Sequence, residues 1–139
     1  MRVQLALNVK DLDEAIAYYS KMFGVEPHKI RDGYANFEVE QPPLKLVLFE
    51  RPDAEQQLNH IGVEMFKHSD IDRIAERFSE TEILESVQKS TVCCHADQDK
   101  VWTKESQGLR WEWYVINDDQ PDRKEDASSC CAGLVQEAL

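Results

Sequence analysis

The segment LNHIGVEM at residues 58–65 is the strongest indication of the fold, because it repeats a pattern that also occurs near the start of the chain. At residues 3–9 the sequence VQLALNV alternates between two classes of side chain with a period of two, as a β-strand does. Each of these two segments is followed by a helix-like segment and then by further strand-like segments. This repetition predicts two similar modules in tandem.

Each module has recognisable start and stop signals for its helix. In the first module Asp11 is expected to cap the helix, Glu14 completes a capping box, and Gly24 ends the helix. In the second module Asp70 is expected to be the cap. The further strands are predicted at residues 34–39 and 45–49 in the first module, and at 100–103 and 109–115 in the second.

Composition limits the functions that the protein can have. The 139 residues carry a formal net charge of −11, which argues against binding to nucleic acids and to anionic membrane surfaces. We expect a cytoplasmic protein, because no secretory signal opens the chain and no apolar run is long enough for a membrane helix.

The predicted domain covers residues 1–116, with modules at about 1–52 and 57–116. Residues 117–139 are predicted to be a flexible acidic tail.

Two pairs of adjacent cysteines, Cys93–Cys94 and Cys130–Cys131, are the most unusual feature of the sequence. Without an export signal, reduced thiols are the expected state. Side chains of consecutive strand residues point to opposite faces, so two adjacent thiols can bind one thiophilic atom only from a loop or a bulge. The alternative is that Cys93 and Cys94 are two small buried apolar residues that happen to be adjacent.

Superposition of the two modules brings four positions into correspondence: Gln4, Val47, His60 and Glu112. Three of them carry side chains that can bind a metal ion, and Val47 does not. Taken singly, His60 is more typical of a core histidine than of a metal ligand, and Gln4 is typical of an ordinary polar strand residue. Glu112 lies between two tryptophans, where a buried carboxylate requires a partner cation.

The two-module pattern, with His60 in the first strand of the second module and Glu112 in its last strand, resembles the vicinal oxygen chelate superfamily. That superfamily includes glyoxalases, bleomycin-resistance proteins and extradiol dioxygenases. The segments RVQLALNV, GYANFEVEQPPLKLVLFE, LNHIGVE and TVCCHADQDKVW resemble more closely the organoarsenical carbon–arsenic lyases. These are iron-dependent members of the superfamily that are often named alongside cadmium-induced proteins.

The resemblance implies an α+β fold of tandem βαβββ modules that form a cup around a metal site. It implies that Gln4, His60 and Glu112 bind iron(II) and that Cys93 and Cys94 bind arsenic. Manganese, nickel or cobalt are possible substitutes for the iron, since the ligand set is a mixture of nitrogen and oxygen donors. Val47 leaves the fourth corresponding position without a ligand, which favours redox chemistry with O2 as co-substrate.

The expected reaction is dioxygenase-type cleavage of the carbon–arsenic bond in methylarsenite or reduced aromatic arsenicals, with release of inorganic arsenite. Two alternatives stay open: a protein that binds arsenic(III) or cadmium(II) through its thiols without turnover, and a glyoxalase-like metal-dependent enzyme. Lys100 is a candidate for the pocket wall. Cys130 and Cys131 are candidates for capturing arsenic, or have no chemical role. The expected partner is a small molecule, and the chain is expected to be a monomer or a homodimer.

Overall fold

A computed structural model describes residues 1–122 of the chain. Its elements are, in chain order, β1 (Arg2–Val9), α1 (Leu12–Phe23), β2 (Lys29–Arg31), β3 (Tyr34–Val39), β4 (Leu44–Glu50), β5 (Leu58–Met65), α2 (His68–Glu80), β6 (Ser86–Cys93), β7 (Ala96–Lys104) and β8 (Arg110–Asp118). The order strand, helix and three strands therefore occurs twice, which confirms the predicted α+β fold. None of the helices in residues 1–122 has the length and apolar character needed to cross a membrane.

The chain divides into two compact units, and the division falls inside β5. The first unit is Arg2–Ile61, and the second begins at Gly62. In the first unit the hydrogen-bonded strands follow the order β2-β3-β4-β1-β5. Strand β1 runs parallel to β4, whereas β3 runs antiparallel to β4. One face of this sheet carries apolar residues such as Leu46, Leu48 and Phe37, which pack with residues of α1 into a core.

In the second unit the strands follow the order β5-β8-β7-β6, and β7 is antiparallel to both β6 and β8. Helix α2 contributes Ile71, Ile74 and Phe78 to a core that also contains Val101 of β7 and Val115 of β8. The other face of β7 carries residues of the opposite parity, which are also buried. In each unit the helix thus covers one face of its strands, and polar side chains are buried on the other.

The first predicted helix is confirmed, because the Asp11 carboxylate accepts a hydrogen bond from the Glu14 backbone N–H and Gly24 is left-handed. The prediction for the second helix was wrong at its start: α2 begins at His68, and its N-cap residue is Lys67. Asp70 instead lies in the first turn of α2, where its negative charge interacts favourably with the positive end of the helix dipole.

Two strands were missed by the sequence analysis, β2 and β6. Strand β2 has only three residues, and β6 is largely polar and contains an irregularity between Gln88 and Thr91. Strand β8 extends to Asp118, two residues beyond the predicted end of the domain at residue 116. The predicted tail from residue 123 onward, with Cys130 and Cys131, lies outside the described residues.

Candidate functional site

Gln4 and His60 form a buried polar pair in the first unit. The two residues are 6 % and 1 % exposed, and they lie on β1 and β5. Gln4 Nε2 is 3.1 Å from His60 Nε2. Two of the three predicted metal ligands therefore have their side-chain ends in contact.

The spacing of this pair is suitable for a shared metal ion. Imidazole nitrogen and amide or carboxylate oxygen bind such ions at about 2.0–2.2 Å, so that neighbouring ligands of an octahedral ion are about 3 Å apart. The amide atom facing His60 is a nitrogen, which donates hydrogen bonds and does not bind metals. Rotation of the Gln4 amide exchanges its nitrogen and oxygen and would present Oε1 to the ion. The donor atoms at Gln4 and His60 thus fit a divalent ion with nitrogen and oxygen ligands.

The second ring nitrogen of His60 contacts a chain of amide groups. His60 Nδ1 is 2.8 Å from Asn59 Oδ1. Asn59 Nδ2 donates to Asn8 Oδ1 at 2.9 Å, and Asn8 Nδ2 donates to the backbone carbonyl of Gln56 at 3.0 Å. All of these residues belong to the first unit. His60 is therefore held through both of its nitrogens.

Glu112, the third predicted ligand, is a buried carboxylate in the second unit that forms an ion pair with Lys100. Lys100 is fully buried, Glu112 is 2 % exposed, and Lys100 Nζ donates to Glu112 Oε1. The partner cation that a buried carboxylate requires is thus present within the chain, 12 residues away in sequence.

The cysteine pair lies at the tip of the β6–β7 hairpin. Cys93 is the last residue of β6 and is paired with Ala96, the first residue of β7. Cys94 and His95 form the two-residue connection, and both have positive φ angles, 53° and 62°. Positive φ at both central residues is the mark of a type I′ hairpin turn. The prediction of a loop was therefore right for Cys94 and wrong for Cys93, which is a strand residue.

The turn geometry brings the two sulfur atoms together. Cys93 Sγ and Cys94 Sγ are 3.5 Å apart. Metal–sulfur bonds to a soft ion such as zinc are about 2.3 Å long, so two thiolates on one such atom are at most about 4.6 Å apart. The observed separation falls within this limit. Cys93 and Cys94 can therefore both reach one thiophilic atom, because only Cys93 belongs to the strand and Cys94 lies in the turn.

The two cysteines differ in their chemical state. Cys93 is a buried thiol that packs against Trp102, and Cys94 packs against the same cluster. Cys94 is disulfide-bonded, which differs from the expectation that all four cysteines are reduced thiols. The Cys93 backbone carbonyl accepts a hydrogen bond from Gln98 Nε2 at 2.8 Å, which ties the end of β6 to β7. Reduction of Cys94 is thus required before both sulfurs can bind arsenic.

One face of β7 connects the thiols to Glu112. Ala96, Gln98, Lys100 and Trp102 alternate along this strand and are all buried. Ala96 is paired with Cys93 at one end, and Trp102 is paired with Glu112 at the other. Paired residues of antiparallel strands project to the same face of a sheet. The second unit therefore presents a thiol, an ion pair and an indole ring on a single sheet face.

A group of charged side chains surrounds Glu38 in the first unit. Its carboxylate lies 3.1 Å from Arg2, 3.3 Å from Lys45 and 3.6 Å from His28. Burial alone would raise the pKa of Glu38, but Lys45, His28 and Arg2 together outweigh it and hold the pKa below its ordinary value. Lys45 is also the partner of Gln4 in the β1–β4 register. Glu38 is therefore an ionised carboxylate close to the Gln4 strand.

A cavity of about 650 Å³ also lies in the first unit, between the end of β1, the start of α1 and residues 51–57. Asn8, Tyr18, Arg51 and Gln56 are among the residues that line it. None of the predicted site residues lines this cavity. Within residues 1–122, no three His, Cys, Asp or Glu side chains are grouped as a metal site.

Comparison with known proteins gives the family. The model of the glyoxalase/bleomycin resistance protein/dioxygenase superfamily matches residues 2–112, which include β1, β5 and the first part of β8. The chain belongs to this superfamily. The match covers the proposed metal ligands at both of its ends, Gln4 and Glu112.

Two groups of curated relatives match this chain at nearly the same sequence identity. A trivalent organoarsenical cleaving enzyme of Thermomonospora curvata is 45 % identical over 132 residues, which cover 94 % of this chain and 87 % of the relative. The cadmium-induced protein CadI of Mycobacterium tuberculosis is 43 % identical over 144 residues, which cover 96 % of this chain and 95 % of the relative.

Among solved structures, the Mn(II)-bound glyoxalase from Novosphingobium aromaticivorans matches with a TM-score of 0.62 at 18 % identity. The match covers 89 % of this chain and 41 % of that one. At this identity the similarity shows the shared fold of the superfamily alone.

Three site features were not found from the sequence. The Lys100–Glu112 pair depends on the β7–β8 register, and the Asn59–Asn8 contact joins residues 51 positions apart. The hydrogen bond from Gln98 to Cys93 depends on the hairpin. Sequence signals existed for Glu112, whose buried carboxylate requires a cation, and for Gln98, because a polar residue on the buried face of a strand requires a partner.

Proposed function

We propose that the protein cleaves the carbon–arsenic bond of trivalent organoarsenicals in a reaction that requires iron(II) and O2. The observation that carries the proposal is the thiol pair, with its sulfur atoms 3.5 Å apart on a hairpin tip. The similarity to a trivalent organoarsenical cleaving enzyme at 45 % identity supports the same substrate class. Methylarsenite and reduced aromatic arsenicals are the proposed substrates, and inorganic arsenite is the proposed product.

The thiols would act by ligand exchange at arsenic. A trivalent organoarsenical has one As–C bond and two exchangeable oxygen ligands. In the reduced protein Cys93 and Cys94 each replace one of these oxygens, and each thiol proton leaves with the displaced hydroxide as water. The As–C bond is then the one bond to arsenic that is not made to the protein. Trp102, against which the sulfurs pack, provides an apolar wall for the organic group.

Gln4, His60 and Glu112 are the proposed metal ligands. Iron(II) bound there would supply the open coordination positions and the electrons that activation of O2 requires. In this proposal the thiols hold the arsenical and the three ligands hold the iron, and bringing the two reactants together would be the proximity contribution to catalysis. Gln98 fixes the backbone at Cys93, and Lys100 holds one oxygen of Glu112, so that both groups are positioned before the substrate binds.

A turnover assay with and without oxygen tests the proposal. Iron-loaded protein is incubated with methylarsenite and a reductant, and arsenite is measured by chromatography with elemental detection of arsenic. We expect more than one arsenite per protein in air and none under anaerobic conditions. Stoichiometric binding of methylarsenite without release of arsenite in air would contradict the lyase. Activity on a thiol adduct of an α-ketoaldehyde without oxygen would point to a glyoxalase-like enzyme.

Substitutions separate the two halves of the proposed site. Cys93→Ser and Cys94→Ser are each expected to abolish methylarsenite binding while the iron content is unchanged. Glu112→Ala is expected to lose iron but to retain methylarsenite binding. An unchanged iron content in Glu112→Ala would contradict the role proposed for that carboxylate.

Sequestration without turnover is the second candidate function. The 43 % identity to a cadmium-induced protein supports it, since a thiol pair also binds a soft divalent cation. In that case cadmium(II) would bind tightly and protect the thiols from alkylation, and arsenite would not appear in the turnover assay.

Cys130 and Cys131 are proposed to capture arsenic(III) before it reaches the hairpin thiols. A truncation after Asp122 leaves β8 complete, because this strand ends at Asp118. We expect a lower rate of turnover at limiting substrate in the truncated protein. Full affinity and full turnover after truncation would contradict this role.

A further inference from the structure

We infer that Asn59 and Asn8 are positioning residues that hold His60 in its Nδ1–H tautomer, so that Nε2 keeps its lone pair towards Gln4. The inference rests on the proposed function only in its consequence for metal binding. The hydrogen-bond geometry itself does not depend on that function.

The direction of the amide chain follows from its far end. The group that contacts Asn8 there is the backbone carbonyl of Gln56, at 3.0 Å. A carbonyl oxygen accepts hydrogen bonds and never donates them, so the Asn8 atom facing it must be Nδ2. The orientation of an asparagine amide is usually ambiguous, because its nitrogen and oxygen are nearly equal in size and are assigned from their hydrogen-bond partners. For Asn8 the carbonyl removes this ambiguity.

The same reasoning passes from Asn8 to the imidazole. With Asn8 Nδ2 on the carbonyl, Asn8 Oδ1 faces Asn59, and the Asn59 atom 2.9 Å away must be the donor Nδ2. Asn59 Oδ1 then faces His60 Nδ1 at 2.8 Å. An oxygen acceptor at this distance requires a proton on Nδ1. A neutral His60 consequently has no proton on Nε2.

The opposite tautomer would place two lone pairs against each other. His60 Nδ1 and Asn59 Oδ1 would both be acceptors, and relieving the contact by turning Asn59 would bring its oxygen against Asn8 Oδ1. Turning Asn8 as well would bring two oxygens together at the Gln56 carbonyl. Every rearrangement therefore leaves one acceptor–acceptor contact in the chain.

The consequence is a ligand that is ready for a metal ion before the ion arrives. Metal-binding histidines usually donate their second N–H to an oxygen, which fixes the tautomer and orients the ring. Here the contact at Nε2 comes from Gln4 at 3.1 Å, and an amide N–H donates to the imidazole lone pair. A metal ion would take the same lone pair without any change at Nδ1.

The tautomer can be measured directly by two-dimensional 15N NMR of the imidazole rings. The full chain is depleted of metal with a chelator and kept reduced at about pH 8, where ordinary histidines are neutral. The His60→Gln variant assigns the His60 signal. We expect the Nδ1–H pattern for His60 in the wild type and its loss, or a mixture of both tautomers, in Asn59→Leu and in Asn8→Leu.

Two further variants act as controls. Asn59→Asp loses the donor to Asn8 Oδ1 but keeps an acceptor for Nδ1–H, and it is expected to retain the Nδ1–H pattern. Asn117→Leu removes a similar histidine–asparagine contact, since His68 Nε2 lies 2.6 Å from Asn117 Oδ1. That variant should change the His68 signal and leave the His60 signal unchanged.

Metal affinity gives the second measurement, by anaerobic competition for iron(II) or manganese(II). Loss of a residue that orients a metal-binding histidine typically lowers affinity by about 10–100-fold, and we expect this for Asn59→Leu. Asn59→Asp should stay within a few-fold of the wild type.

The outcomes separate the inference from the proposed function. An Nε2–H pattern for His60 in the wild type, or an unchanged Nδ1–H pattern in both leucine variants, overturns the inference. If the patterns change as expected while His60→Gln binds metal as tightly as the wild type, the amide chain is supported and the metal role of His60 fails. Asn8→Leu gives the answer if Asn59→Leu does not fold.

Discussion

The buried ion pair between Lys100 and Glu112 leads to a quantitative prediction for Lys100→Met. Lys100 is fully buried and its partner is 2 % exposed, so that methionine would leave a carboxylate without its cation in a buried environment. Removing one partner of such a pair costs about 3–5 kcal/mol. With a urea m-value of about 2 kcal/mol/M, this loss lowers the unfolding midpoint by about 1.5–2.5 M.

The measurement is urea unfolding of metal-depleted protein followed by tryptophan fluorescence. The three tryptophans, Trp102, Trp111 and Trp113, lie in β7 and β8, so their fluorescence reports on the second unit. Metal is removed because an ion bound at Glu112 would stabilise the folded state independently of Lys100.

A matched control is Lys89→Met, which removes a lysine from an ion pair with Asp72 in the same unit. The side chains of Lys89 and Asp72 are 55 % and 70 % exposed, and an exposed pair contributes about 0–1 kcal/mol. Lys89 Nζ also lies 3.6 Å from Asp99, in a longer contact that uses the same exposed lysine. The double variant Lys100→Met/Glu112→Leu should recover most of the lost stability, since an apolar pair can replace a buried ion pair. Equal unfolding midpoints for Lys100→Met and Lys89→Met would show that the buried pair contributes no more than the exposed one, and would contradict the prediction.

Three further substitutions test other parts of the structure. Because the pKa of Glu38 is lowered in the folded protein, its contribution to stability is present above about pH 4.5 and is lost as the pH falls through the folded-state pKa. The melting temperature of Glu38→Gln should therefore depend less on pH between about 4.5 and 2 than that of the wild type. Parallel plots of melting temperature against pH for the two proteins would contradict this. His95→Val places a β-branched residue at a φ of 62°, where such a residue is a rarer outlier than histidine, and should destabilise the hairpin by up to about 1 kcal/mol in thermal unfolding. His95→Gly should be tolerated. Gln98→Leu removes the hydrogen bond to the Cys93 carbonyl and should weaken methylarsenite binding by up to about tenfold in titrations, while iron affinity stays unchanged. Equal losses of both affinities would contradict the role of Gln98 in positioning Cys93.

Much of the fold could be predicted because it depends on local patterns. A few consecutive residues are enough to show the alternation in residues 3–9 and 58–65. The same is true of the Asp11 cap and of Gly24 at the end of the first helix. Strand β6 was missed because its sequence is mostly polar and its pairing is interrupted after Gln88, so it lacks a clear alternation. The start of α2 was misplaced because Asp70 is an equally good residue for the first turn.

The candidate site was predictable in its chemistry but not in its contacts. The donor side chains at Gln4, His60 and Glu112 and the two adjacent thiols can be read directly from the order of residues. Three other features follow from the folded chain. Lys100 is the partner of Glu112, one thiol belongs to a strand and the other to a turn, and Asn59 faces His60. The physical reason is that a periodic pattern reports which side of an element is buried, whereas the identity of a partner depends on the register between strands that are distant in sequence.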